Sequence, residues 1–148
     1  MSSEAKPASR HASRQAAVQM LYALQLGTPA VAPPERELTV AIDEFWLHFS
    51  APEGAREYAD VLVRGVVATM QRLDERLTRA STNWRLERMA RIDLAILRLA
   101  AWELTESVDV PREVAIDEAV ELAKTFSSDD AGKFVNGVLA GLVAVQSG

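Results

Sequence analysis

The chain has 148 residues, about half of them hydrophobic and a quarter charged, enough for one domain with a sizeable core and unlike a disordered chain. It has no cysteine, which excludes disulfides, thiolate catalysis and cysteine-ligated zinc. The formal net charge of −5 argues against indiscriminate nucleic-acid binding, and no apolar run approaches the ~20 residues of a membrane span.

Charge distribution says more than its sum. No acidic residue lies between Glu4 and Glu35, whereas Lys6, Arg10 and Arg14 are cationic and His11 can become so. From Glu103 to Asp130, nine carboxylates face only Arg112 and Lys124. A basic end and an acidic flank suggest two partners of opposite charge.

Taken in order, residues 1–9 form a polar arm with a proline and no apolar signal-peptide core, so the expected location is cytoplasmic. A single domain is expected over 10–148. Its first helix runs from about Ser9 to Leu26, with Ala17, Leu21 and Leu24 as the buried stripe and Val18 and Tyr22 beside it. Arg10 and Arg14, one turn apart, are expected to project together. Cations at a helix N-terminus oppose its dipole, a conflict that an external anion would relieve. After the proline-rich loop Thr28–Glu35, a second helix spans about Glu37 to Phe49. Pro52 is expected to open a third, through Ala59, Leu62, Val66, Met70, Leu73 and Leu77, either one long core helix or two in series.

The next helix follows Asn83-Trp84. Arg88, Arg91 and Arg98 lie on neighbouring rows of it, either as a phosphate-binding surface or as a face paired internally with Glu87, Asp93 and nearby acids. Trp102 reads as core packing. Past the Asp109-Val110-Pro111 turn, Val114–Leu139 reads as two apolar helices joined by the polar corner Ser127-Ser128-Asp129-Asp130. Ser128 or Asp129 suits the cap of the last helix, and Asp130 the positive end of its dipole.

The last helix carries Phe134, Val138 and Val145 on one stripe, with Val135, Leu139 and Leu142 beside it. Phe134 is either the first core residue of that stripe or, with Lys133 beside it, a platform for an unpaired base, since single strands are held by ring stacking while cations track the phosphates. Gly137 inside this helix suggests a close helix–helix approach. No segment alternates with a period of two, so the expected class is all-α with six or seven helices. No phosphate loop, HExxH or GxSxG motif and no metal-ligand spacing occurs, so no catalytic residue, metal or cofactor is assigned.

Four stretches in this order, ASRQAAVQMLYALQL, NWRLERMARIDLAILRLAAWEL, VDVPREVAIDEAVELAKTF and GKFVNGVL, resemble the NusB family of bacterial transcription antitermination factors over roughly residues 10 to 140. The resemblance implies two three-helix subdomains set at an angle and binding of single-stranded boxA-type leader RNA of ribosomal transcripts. It also implies action with NusE, a small-subunit ribosomal protein, in an antitermination complex on RNA polymerase. By position it places RNA contacts at Lys6, Arg10, Arg14, Asp130, Lys133 and Phe134, and NusE contacts at Tyr22 and Asp93. Many relatives carry a denser arginine cluster where His11, Ala12 and Ser13 stand here, which predicts binding that leans on the partner or on pH through His11. Two alternatives stand beside this reading: the recognition domain of a ribosomal RNA cytosine methyltransferase, and a homodimeric helical adaptor.

Overall fold

The computed structural model describes residues 7–147, with side chains described for 10–146. Six α-helices and one 3-10 turn make up the regular structure, and no strand occurs among the described residues. The first, α1 (Pro7–Leu24), starts two residues ahead of Ser9, because proline suits a first helical turn where no N–H is needed. It ends earlier than the stripe suggested. Gln25 and Gly27 take left-handed φ values of 49° and 82° and turn Leu26 back into the core.

Helix α2 (Glu35–His48) buries Leu38 and Ile42. An aromatic cluster continues that face: the Phe45 and Phe49 rings stack at 4.7 Å, and Trp46 stands edge-on to both. Trp46 Nε1 donates to Asp60 at 3.0 Å, tying α2 to α3 (Ala55–Ala80). That helix begins after Gly54, three residues beyond Pro52, which lies in the preceding turn. It is one long helix with a kink at Thr69, whose hydroxyl donates back to the Gly65 carbonyl at 2.8 Å. Gly65 is bare because the Trp102 indole fills the space a Cβ would need, at 2.4 Å.

A 3-10 turn (Leu86–Arg88) leads into α4 (Arg91–Thr105), the central element. Every residue from Asp93 to Ala101 is buried, as expected of a helix packed against α1, α3, α5 (Arg112–Phe126) and α6 (Asp129–Ser147). The six helices form two three-helix groups, α1–α3 and α4–α6, sharing one continuous core. At the polar corner Ser128 Oγ accepts from the Ala131 N–H at 3.0 Å, so Ser128 is the cap.

Two expectations about α6 need correction. Its buried line is Ala131, Val135, Val138, Leu139 and Leu142, while Phe134 sits half-buried at the rim and Val145 faces out. Gly137 faces open space, and the close approach occurs at Gly141, where a Cβ would lie 2.9 Å from the Ala80 carbonyl oxygen. No helix among the described residues is long and apolar enough to cross a membrane.

Candidate nucleic-acid interface

The basic start of α1 is split by burial. Arg10 remains partly exposed, its guanidinium carbon 4.3 Å above the Tyr58 ring. Arg14 does not project beside it. Only 3% of Arg14 is exposed, and its Nε donates to both carboxylate oxygens of Glu103 at 3.0 Å. Nη1 of Arg14 adds a longer contact to Glu118 at 3.5 Å, and the Tyr58 hydroxyl donates to the same Glu103 carboxylate. Burial works against the Arg14 charge, but the hydrogen bond and charge of Glu103, with Tyr58 and Glu118 behind them, raise its pKa above the ordinary value. Burial, then the charge and hydrogen bond of Glu103, push the Tyr58 hydroxyl well above its usual range. Arg14 is thus an internal cation locking α1 to α4 and α5, which corrects its reading as an outward phosphate ligand. His11 joins the same lock, its Nδ1 lying 2.6 Å from Glu118 Oε2.

The corner between α5 and α6 is open. Asp130 and Lys133 are exposed, and the Lys133 side chain has no ion pair or hydrogen bond among the described residues. Phe134 lies beside it, with the Trp84 ring 6.3 Å away and inclined at 70°. Helix α5 joins this corner to the start of α1. Glu118 holds His11, and Lys124 packs against Gly132; at ~1.5 Å per residue these two points are ~9 Å apart along α5. Lys6 lies outside the described residues.

The arginine row does not survive folding as a row. Arg98 is buried, bonded to Asp74 through two nitrogens at 2.9 Å and to the Gly27 carbonyl at 2.8 Å. Arg98 is thus paired internally, with Asp74 on α3 and with neither Glu87 nor Asp93. Arg88 and Arg91 stay exposed, with no side-chain partner among the described residues.

Tyr22 and Asp93 meet the same region from different depths. Tyr22, 49% exposed, lines a groove with Ala90, Arg91 and Ile92 at the N-terminal end of α4. Asp93 lies in the first turn of α4 and is only 9% exposed, yet its Oδ1 has no hydrogen-bond partner among the described residues. Burial raises its pKa, with a Ser127 hydrogen bond pulling the other way. An orphan buried carboxylate oxygen is rare in a folded protein and marks a place where an incoming donor would be stabilised. Among the described residues no three His, Asp or Glu side chains converge to hold a metal ion.

Sequence reasoning missed Tyr58 and Glu103, which decide the fate of Arg14, and Trp84, which stands against Phe134. For Trp84 a signal existed: a large ring beside Ser81-Thr82-Asn83, outside any apolar stripe.

The NusB family profile matches residues 11–144. The transcription antitermination protein NusB of Sorangium cellulosum is 48% identical over 130 residues, covering 88% of each chain. The structure of T. maritima NusB superposes with a TM-score of 0.75 at 29% identity, covering 95% of this chain and 93% of that one. The complex of antitermination factors NusB and NusE with dsRNA contains the same fold, with a TM-score of 0.75 at 24% identity, covering 95% of this chain and 99% of that one.

Proposed function

The chain belongs to the NusB family, and from that premise we propose that it is a cytoplasmic transcription antitermination factor that grips an unpaired boxA-type RNA while a ribosomal-protein partner docks on its other flank. One observation carries the RNA half: Lys133, a cation without a partner among the described residues, stands next to the half-buried ring of Phe134 on a helix start fixed by the Ser128 cap. The cap holds the first turn of α6 in place, so the backbone that carries ring and ammonium needs no ordering step at binding. Arg10 extends the cationic track toward the chain start, where the family resemblance adds Lys6. Asp130 lies at the rim, where its negative charge disfavours a phosphate and so helps fix the strand's register. Arg14 supports this surface indirectly, by holding α1 against Glu103.

The partner half rests on Tyr22 and on the orphan oxygen of Asp93, together with the carboxylate-rich stretch from Glu103 to Asp130. A cationic ribosomal protein such as NusE, which accompanies NusB in the structure sharing this fold, has the matching charge. The joint surface would then be loaded onto RNA polymerase. The antitermination name carried by the relative favours this reading over a methyltransferase recognition domain.

The test is a titration of boxA-type RNA over a range of salt, with and without NusE. Three phosphate contacts predict a log–log slope of about −2 for a single strand. Tighter binding with NusE present and a preference over scrambled RNA are expected. A slope near zero, or equal affinity for the scrambled strand, would refute the proposal.

A further inference from the structure

Beyond Phe134, the turn between α3 and α4 holds a cavity of about 450 Å³ whose walls include Thr78, Ser81, Asn83, Trp84, Arg85 and Arg88. Its chemistry is one-sided. Two guanidiniums, hydroxyls and an amide face it and no carboxylate does; Glu87, between the two arginines in sequence, faces the cavities on the other side of the turn. The Arg85 and Arg88 side chains have no partner among the described residues, in contrast to Arg14, Arg64, Arg72, Arg76 and Arg98, each of which holds a carboxylate. Trp84 closes one edge of the cavity, 49% exposed, and its inner side meets Phe134.

We propose that Trp84 is a second base-stacking platform and that Arg85 and Arg88 hold the adjoining phosphate, carrying the RNA path from Phe134 around the α3–α4 turn. This rests on the RNA reading of Lys133 and Phe134. Aromatic rings serve every base, because each has a π-face, and guanidiniums suit phosphate oxygens with paired donors. The 70° angle between the two rings adds a constraint. Bases lying one on each ring cannot stay stacked on one another, so the strand must turn between them. A duplex cannot do that without breaking its stack, and the platform selects unpaired RNA.

The experiment uses the full chain with NusE, a labelled boxA-type RNA, and the same RNA shortened by one nucleotide at either end in turn. Wild type should lose about tenfold in affinity on trimming the end that reaches Trp84, the scale of one lost base stack. Trp84→Leu should bind the untrimmed RNA about tenfold more weakly and show no further loss on trimming, while Trp84→Phe keeps most of the affinity. Arg85→Gln with Arg88→Gln should flatten the salt slope by about 0.7, the value of one phosphate contact on a single strand; these exposed positions give a readout even if Trp84→Leu fails to fold, and an unchanged slope would overturn the phosphate assignment. An equal trimming penalty in Trp84→Leu and wild type would mean that Trp84 only props Phe134, and overturns the proposal. So would unchanged RNA binding with weakened NusE binding, which would assign the platform to protein. Phe134→Leu separates the two levels. If it weakens RNA binding and Trp84→Leu does not, only the second platform falls; if neither does, the underlying RNA site falls too.

Discussion

Arg14 and Glu103 are joined by hydrogen bonds from one guanidinium nitrogen to both carboxylate oxygens, each 3.0 Å long, in a place where 3% of one residue and 1% of the other reach solvent. Removing one member of such a pair leaves the other charged and buried, at a cost of ~3–5 kcal/mol. Arg14→Ala and Glu103→Gln should therefore each lower the melting temperature by on the order of 10 °C. Thermal unfolding followed by circular dichroism checks this. A melting temperature within ~1 °C of wild type for Arg14→Ala would show that the pair is dispensable.

Phe134 allows packing to be separated from stacking. Its ring touches the core rim and Trp84 but is not sealed in. Phe134→Leu keeps an apolar side chain at the rim and removes the flat π-face, so stability should change by less than ~1.5 kcal/mol while RNA affinity falls by the ~1–3 kcal/mol of a base stack. Calorimetry and RNA titration on one preparation give both numbers. Unchanged RNA affinity with a lowered melting temperature would make Phe134 purely a core residue.

How far the sequence reached follows from the range of the forces involved. The helices and the capped corner at Ser127–Asp130 were legible because periodicity and capping act within a few residues. The pairings of Arg14 with Glu103 and Arg98 with Asp74 span 89 and 24 residues, and local spacing gives no hint of them. The same row logic that put Arg10 and Arg14 on one face could not say that Arg14 faces inward. Gly137 and Gly141 illustrate the same limit: one turn apart on α6, they differ only in what α3 brings against them.

Asp93 ties stability to pH and to the partner. An unfolded aspartate titrates near ~3.9, and burial raises the folded value above that. The native state therefore binds more protons in the interval between the two values, so stability falls as pH rises through it, and the penalty is fully present above the folded value. Asp93→Asn removes that penalty. It should raise the melting temperature at neutral pH, with the gain shrinking as pH falls from the raised folded value toward the ordinary one. The same variant should bind NusE more weakly, because the orphan Oδ1 no longer offers a charge to a cationic side chain. A destabilised Asp93→Asn at neutral pH, or undiminished NusE binding, would contradict this account.

The two α6 glycines give the last prediction, with opposite signs from the same substitution. At Gly137 a new Cβ meets nothing within 4 Å, so Gly137→Ala removes only the backbone entropy that glycine loses in a helix. That should stabilise by up to ~1 kcal/mol, or a rise of about 2–4 °C in melting temperature. At Gly141 the Cβ would sit 2.9 Å from the Ala80 carbonyl oxygen, which belongs to the end of α3 and cannot swing aside as a side chain would. Gly141→Ala must push α6 away from α3, and overpacking of this kind costs ~1–3 kcal/mol. Melting curves of the two variants should lie on either side of wild type. Because α3 and α6 belong to different three-helix groups, Gly141→Ala also loosens the junction on which Trp84 and Phe134 meet. Its RNA affinity should therefore drop along with its stability, whereas Gly137→Ala should leave both the junction and RNA binding intact.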